Sequence, residues 1–118
     1  MMRDLNGTSV LMRIFIGESD RYQGKPLYQA IVEMLRREKI AGATVFRGIT
    51  GYGARSCLHT AHILRLSQDM PIVIEVVDTQ EHIDGIMPEI EKIIGDGLIT
   101  IEKVTVLHYS AGREHSDC

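Results

Sequence analysis

Two glycine-containing stretches carry residue types that could hold a small anion. The first lies between Arg47 and Arg55 and contains Gly51-Tyr52-Gly53, and the second is Gly95-Asp96-Gly97. Glycine lets backbone N–H groups approach phosphate oxygens closely, and arginine donates charge-assisted hydrogen bonds to them. The same glycines also form ordinary turns, since Gly-Asp-Gly after a helix is a common helix-to-strand connection. From the residues alone, an anion site and a pair of plain turns both remain open.

A second cluster, Cys57, His59 and His62, combines residue types that bind transition metals. His59 and His62 are three residues apart and would face together on a helix, while Cys57 adds a soft sulfur ligand. A structural zinc site needs four ligands at tetrahedral spacing, and this cluster supplies three. We therefore favour hydrogen bonding by His59, locally or across subunits, and keep divalent-metal binding as the alternative.

Acid–base catalysis has one candidate, Glu75, at the centre of an apolar run over residues 71–77. A buried glutamate needs a partner, and Arg47 on the neighbouring predicted strand is the expected one. The sequence contains no P-loop, no HExxH motif and no recognisable Ser-His-Asp order. We therefore predict a structural ion pair or a subunit contact at Glu75, and no enzymatic activity.

Hydrophobic periodicity predicts the elements that must position these residues. Apolar runs and alternation predict strands at residues 10–16, 43–49, 71–77 and 99–108. Helical spacing predicts helices at about 26–39 and about 79–94, and Pro26 suits the first turn of the first helix. The interval 50–69 is long for a connection inside a compact domain, which indicates a functional or a mobile loop.

The element order β-α-β-β-α-β is that of the ferredoxin-like α+β fold. It predicts a four-stranded antiparallel sheet with two helices on one face. We expect a single domain over residues 1–118, with its core at about 9–109 and a polar tail at 110–118. The strands are apolar on both faces, and a sheet of that kind needs cover on its second face. We therefore predict a homo-oligomer.

Composition excludes several classes of protein. The chain has 118 residues with 13 Lys+Arg against 16 Asp+Glu, a formal net charge of -3, so no general attraction to nucleic acid is expected. No stretch approaches the ~20 apolar residues that span a bilayer. The two cysteines, Cys57 and Cys118, do not make a disulfide scaffold, and we expect reduced thiols in a cytoplasmic protein.

An ordered set of motifs along the chain resembles one known family. The motifs are GKPLY from residue 24, AGATV from residue 41, RGI from residue 47, GYG from residue 51, PIVIE from residue 71 and GLIT from residue 97. In this order and spacing they resemble the domain-of-unknown-function family 190, also called UPF0166, over roughly residues 9–109. That family is similar in turn to the PII signal-transduction proteins, which are cytoplasmic trimers with the ferredoxin-like fold.

The resemblance to PII proteins implies a function and a site. Residues 47–53 look like the base of the PII T-loop and residues 94–99 look like the B-loop, and in PII proteins both loops line a nucleotide cleft between subunits. The ligand-binding residues implied for an adenine nucleotide are Arg47, Gly51, Tyr52, Gly53, Arg55, Gly95, Asp96 and Gly97. The implied role is a homotrimeric sensor that requires no cofactor and signals through the loop at 50–69 to a regulated protein. A membrane transporter is one candidate partner, and a ligand-free adaptor is a further alternative.

Two departures from the PII pattern concern the phosphate contacts. Leu98 stands where PII proteins carry a phosphate-binding lysine, and the arginine pair of the last PII strand has no evident counterpart. His108 and Arg113 are the nearest polar residues to that pair. Nucleotide binding is therefore expected to differ from that of PII, and PII-style uridylylation is not part of the prediction.

Overall fold

The structure is a computed structural model, and it describes residues 4–52 and 69–110 of the chain. Its strands are β1 (Gly7–Gly17), β2 (Arg21–Tyr22), β3 (Lys25–Pro26), β4 (Ala43–Arg47), β5 (Pro71–Asp78) and β6 (Leu98–Val106). Its helices are α1 (Leu27–Arg37) and α2 (Gln80–Ile93). These elements follow the predicted order, with a small hairpin of β2 and β3 inserted before α1.

β1 lies at the centre of the main sheet, between two neighbours. It runs antiparallel to both β5 and β6, and β4 pairs antiparallel with the outer side of β5. The sheet order is therefore β4-β5-β1-β6, with β4 and β6 as its two edge strands. This order, together with the two helices, confirms the predicted ferredoxin-like arrangement.

Side chains along β1 alternate between the two faces of the sheet. Met12 and Ile14 are fully buried in the core beneath the helices, whereas Leu11, Arg13 and Phe15 point the other way and stay partly exposed. β5 shows the same alternation of buried and half-buried positions. We call the face that carries Leu11, Arg13 and Phe15 the open face.

α1 buries an apolar stripe whose members follow helical spacing. The buried residues are Leu27, Ile31, Met34 and Leu35. The helix begins directly after Pro26, whose φ of -57° suits a helix start. The stripe packs on the buried side chains of β1 and β5 to form one aliphatic core.

α2 begins at a side-chain cap and contributes a second apolar stripe to the same core. The Thr79 hydroxyl oxygen accepts a hydrogen bond from the His82 backbone N–H at 3.1 Å, which satisfies one of the unpaired donors of the first turn. Ile83, Ile86 and Ile90 are the buried residues of this helix. Both helices therefore bury their apolar stripes in one core, as the predicted arrangement requires.

The structure differs from the sequence-based prediction at the inserted hairpin and at the ends of several strands. The hairpin of β2 and β3 escapes prediction because two-residue strands are too short to show alternation, and its turn places Gln23 and Gly24 at positive φ, 48° and 85°. β4 ends at Arg47, two residues earlier than predicted. There the Gly48 backbone N–H donates to the Pro71 carbonyl oxygen at 2.7 Å, just past the last paired residue of β4.

The two helices are short compared with a bilayer. α1 has 11 residues and α2 has 14. Within residues 4–52 and 69–110, no helix is long and apolar enough to cross a membrane.

Replacing Ile14 by alanine should lower the free energy of unfolding by about 2–5 kcal/mol, because it removes buried methyl groups and leaves a cavity. The matched control is Leu107→Ala, since Leu107, which follows β6, is 92% exposed. The control should cost less than ~1 kcal/mol, because little of its surface leaves water on folding. Urea titration followed by circular dichroism measures both changes. Equal losses for the two variants would contradict the assignment of the core.

Candidate functional site

Both glycine stretches lie at the same end of the sheet, on its opposite edges. β4 ends at Arg47, immediately before Gly48, and β6 begins immediately after Gly97. Arg47 pairs with Ile72, which pairs in turn with Ile16 on β1. Gly97 lies beside Ile16 on the other side of β1, because a Cβ built on Gly97 would be 3.2 Å from Ile16 Cγ2. The residues Arg47, Ile72, Ile16 and Gly97 therefore form one row across the sheet. Neighbouring strands are about 4.8 Å apart, so about 14 Å separates the two edges.

Within one chain, the two stretches therefore do not meet. β5 and β1 lie between them and occupy the middle of that end of the sheet. A small anion that contacts both stretches needs one stretch from one copy of the chain and the other stretch from a second copy. We call the region from Arg47 to Tyr52 the β4 half-site and the region from Gly95 to Gly97 the β6 half-site.

In the β4 half-site, Arg47 already has an ionic partner. Its Nε donates to both carboxylate oxygens of Glu18, at 3.0 Å each. The Arg47 and Glu18 side chains are 38% and 31% exposed, so this surface pair contributes little stability, about 0–1 kcal/mol. An incoming anion therefore competes with Glu18 for the guanidinium.

The predicted ion pair between Arg47 and Glu75 is wrong. The register of β4 and β5 places Thr44 opposite Glu75 and Arg47 opposite Ile72. Ile72 is buried beneath the helices, so Arg47 lies on the helix side of the sheet. Glu75 lies on the open face, and the sheet itself separates the two side chains.

Glu75 instead takes part in an ion cluster on the open face. Arg13 Nε donates to Glu75 Oε2 at 2.9 Å, and Arg13 Nη1 donates to Glu102 Oε1 at 3.2 Å. The hydrogen bond to Glu75 raises the pKa of the Arg13 guanidinium above its usual value, so the arginine stays charged. Sequence reasoning missed this cluster because the signal is the cross-strand register, which places Arg13 opposite Glu75.

The glycines that follow β4 have a packing role that requires no ligand. A Cβ on Gly48 would lie 2.8 Å from Pro71 Cγ, and a Cβ on Gly51 would lie 3.2 Å from the same atom. Ile49 and Tyr52 in this stretch are 89% and 77% exposed. The chain therefore leaves β4 close against Pro71, with two large side chains presented to solvent.

In the β6 half-site, Gly95 and Gly97 line a cleft of about 380 Å³ between α2 and β6. The other residues that line this α2–β6 cleft are Ile83, Asp84, Met87, Glu91, Ile94, Ile99 and Ile101. None of these lining residues, all in the described part of the chain, is a lysine or an arginine. The cleft runs along α2, from Ile83 near the start of the helix to Ile94 just past its end, and it presents the carboxylates of Asp84 and Glu91. It therefore suits apolar groups and hydrogen-bond donors better than phosphate.

Several predicted ligands lie outside the residues that the structure describes: Gly53, Arg55, Cys57, His59 and His62. Arg113 lies outside them as well. Most of the 50–69 interval lies there too. Asp96 is described and is exposed. In the described ranges, no group of three or more His, Cys, Asp or Glu side chains is placed to hold a metal ion. The nucleotide ligand set and the metal alternative both stay predictions.

The fold resembles that of PII-like proteins. One similar structure is a putative PII-like signaling protein from Thermus thermophilus, with a TM-score of 0.62 and 18% identity, covering 86% of this chain and 91% of that chain. Another is CPII, a nitrogen regulatory PII-like protein from Thiomonas intermedia, bound to ADP, AMP and bicarbonate. Its TM-score is 0.58 and its identity 16%, covering 86% of this chain and 90% of that chain. At these identities the likeness establishes the fold.

The chain itself belongs to the DUF190 family, described as an uncharacterized ACR, whose model matches residues 9–106. It is 40% identical over 92 residues to a UPF0166 protein of Methanocaldococcus jannaschii, which is 77% of this chain and 84% of that relative. It is 38% identical over 98 residues to a UPF0166 protein of Aquifex aeolicus, which is 83% of this chain and 92% of that relative. The family resemblance inferred from the motifs is confirmed.

Alanine at Gly97 should lower the free energy of unfolding by about 1–3 kcal/mol, because its Cβ would lie 2.9 Å from the Phe15 backbone oxygen. Gly95→Ala is the matched control, since a Cβ at Gly95 meets nothing within 4 Å. The control should change the free energy by no more than about 0.5 kcal/mol. Urea unfolding of both variants measures the difference. Two equally stable variants would show that Gly97 does not pack against β1 as described.

Proposed function

We propose that this protein is a non-enzymatic, PII-like regulatory protein that binds an adenine nucleotide between the subunits of a homotrimer. The observation that carries the proposal is the placement of the two half-sites, which lie at the same level of the sheet but on opposite edges. A nucleotide site built from both is incomplete in one chain and becomes complete with a second copy. The proposed role requires no cofactor.

The likeness to PII-like proteins supports the class of protein and the class of ligand. CPII shares this fold and is bound to ADP, AMP and bicarbonate in its structure. The family members at 38–40% identity extend over 77–83% of this chain, so the region that holds both half-sites belongs to the family domain. An adenine nucleotide is therefore the first ligand to test.

The charges of the two half-sites suit different parts of a nucleotide. Arg47 supplies a guanidinium to the β4 half-site, where it would bind phosphate. The α2–β6 cleft has apolar walls and the carboxylates of Asp84 and Glu91, which accept hydrogen bonds from ribose hydroxyls or an exocyclic amino group.

A ring of copies would bring the half-sites of neighbouring chains together. Strand direction alternates across the sheet, so β4 and β6 run in opposite directions. Copies related by rotation then place the end of β4 in one chain beside the start of β6 in the next. Both edges carry half-exposed apolar residues on the helix side, Val45 at 36% and Ile101 at 50%. The two edges therefore complement each other in strand direction and in apolar character.

The open face supports association of copies through a second surface. Phe46, Val73, Phe15 and Leu98 form one apolar row across all four strands. Phe46 and Leu98, at the two ends of the row, are 49% and 56% exposed. Burying such a row against other copies gains about 25 cal/mol per Å² of apolar surface removed from water. The number of copies, three, is proposed from the likeness to PII proteins.

The proposed output runs through the loop at 50–69. Gly53 and Arg55 belong to the proposed ligand set and to this loop, so a nucleotide bound at Arg47 would also contact the segment that meets a partner protein. A membrane transporter is one proposed partner. Hydrogen exchange over residues 50–69 with and without ATP tests this step, and we expect slower exchange with ligand.

Isothermal titration calorimetry with ATP, ADP and AMP tests the ligand. We expect binding, and we expect Arg47→Met to weaken it by about tenfold or more, because a phosphate loses a charge-assisted hydrogen bond. Arg21→Met is the matched control, since Arg21 lies on β2 and donates to the Gly24 carbonyl oxygen. No heat of binding with wild type at millimolar nucleotide would contradict the proposal, and so would unchanged affinity in Arg47→Met.

The Glu18→Gln variant tests, in the same titration, whether Glu18 competes with the nucleotide for Arg47. It removes the carboxylate that holds Arg47 Nε while leaving the arginine in place. We expect it to tighten nucleotide binding by about two- to fivefold, in line with the small worth of a surface ion pair. Weaker binding in Glu18→Gln would show that Glu18 positions the arginine for the ligand instead of competing with it.

Light scattering after size-exclusion chromatography tests the assembly. The wild type should have three times the 13.2 kDa mass of the chain. Leu98→Glu should shift the mass towards that of one chain, because it places a charge in the apolar row of the open face. Leu107→Glu is the control, since Leu107 follows β6 and is 92% exposed. A monomeric wild type, or a trimer unaffected by Leu98→Glu, would contradict the proposed assembly.

A further inference from the structure

A buried carboxylate joins three elements at the opposite end of the sheet from the two half-sites. Asp78, the last residue of β5, is fully buried. Its Oδ2 accepts a hydrogen bond from the Ala41 backbone N–H at 2.9 Å, and its Oδ1 accepts one from the Thr79 backbone N–H at 2.7 Å. Ala41 lies in the turn that leads from α1 into β4. The carboxylate therefore fastens the start of β4 to the end of β5 and to the cap of α2.

The imidazole of His82 connects these three elements to a fourth, the end of α1. We call this set of contacts around Asp78 and His82 the joint. Its Nδ1 lies 3.1 Å from Asp78 Oδ2, and its Nε2 lies 2.8 Å from the backbone oxygen of Glu38. Glu38 is the C-cap residue that directly follows α1. The ring is placed there because His82 occupies the first turn of α2, where its backbone N–H bonds to the Thr79 cap. The side chain is 20% exposed, so water reaches it only in part.

Both atoms that face the ring are hydrogen-bond acceptors, and this makes the joint sensitive to a proton. A neutral imidazole carries one N–H and can donate to only one of the two oxygens. The imidazolium carries two and donates to both. A neutral ring would keep its hydrogen on Nδ1, where it meets the charged carboxylate, and would turn a lone pair towards Glu38 O. Loss of the proton therefore breaks the hydrogen bond between His82 Nε2 and Glu38 O, while the ion pair of Arg37 with Glu89 remains between the two helices.

We propose that His82 is a proton-dependent tether that fastens the α1–β4 turn to α2, and that it releases this turn when the ring becomes neutral. The charged groups on the surrounding elements are Asp78 on β5, Glu38 and its partner Arg37 together with Lys39 at the end of α1, and Glu81 on α2. The turn leads into β4, whose far end carries Arg47. The tether thus links proton binding at one end of β4 to the position of the strand that holds the β4 half-site.

Hydrogen exchange of the full-length protein, measured by mass spectrometry over residues 38–43, tests the tether. After correction for the intrinsic rate, exchange of this segment in wild type should rise about fivefold between pH ~5.5 and pH ~8, the loss of one ordinary hydrogen bond. His82→Gln should abolish this rise. His108→Gln, which removes an exposed histidine after β6, should behave as wild type. A wild-type segment whose protection does not change with pH, or a rise that persists in His82→Gln, would overturn the proposal.

Nitrogen-15 spectra of the imidazole rings give a second measurement, which needs no variant. The ring of His82 should show two protonated nitrogens at the lower pH and one, Nδ1, at the higher pH. A ring that carries a single hydrogen across the whole range would overturn the proposal even if His82→Gln failed to fold.

Discussion

The alternation of side chains along β1 is the constraint on which the rest of the structure depends. Because β1 pairs with β5 on one side and with β6 on the other, its register decides which side chains of all three strands face the helices. A slip by one residue would move Met12 and Ile14 to the open face and carry Arg13 into the aliphatic core. An unpaired guanidinium in that core is costly, so core packing and the ion cluster on the open face both enforce one register.

Close packing and anion binding favour the same residue at the end of the sheet. Gly97 is required because a Cβ would press on the backbone of β1, and Gly48 is required because a Cβ would press on Pro71. A backbone without side chains is also one whose N–H groups an anion can reach. The presence of glycine at these positions therefore does not distinguish a packing role from an anion-binding role. The surrounding charges do, since Arg47 stands at one half-site and the α2–β6 cleft presents carboxylates at the other.

The periodicity of apolar residues was sufficient to predict the strands and helices, but it did not predict which residues of neighbouring strands contact each other. The apolar runs predicted each long strand and both helices to within about three residues, because burial of one face imposes the pattern directly on the sequence. The partner of Glu75 depends on how β4, β5 and β1 align, which no local pattern contains. With Thr44 opposite Glu75, Arg47 falls on the other face and Arg13 becomes the partner. The separation of the two half-sites within one chain likewise follows from strand order, which local patterns leave unspecified.

β4 is the element on which the proposed nucleotide site and the proposed tether converge. All five of its residues are exposed, so it is held by its pairing with β5 and by contacts at its two ends. At its start the Ala41 N–H bonds to Asp78, and at its end Arg47 pairs with Glu18. The first contact shares its carboxylate with the imidazole of His82, and the second is the pair with which the proposed anion would compete. An edge strand with few buried contacts is the part of a sheet that opens at low cost. On the two proposals together, a change at one end of β4 would alter the position of the strand at the other, and this is the physical route that would connect the tether to the proposed nucleotide site.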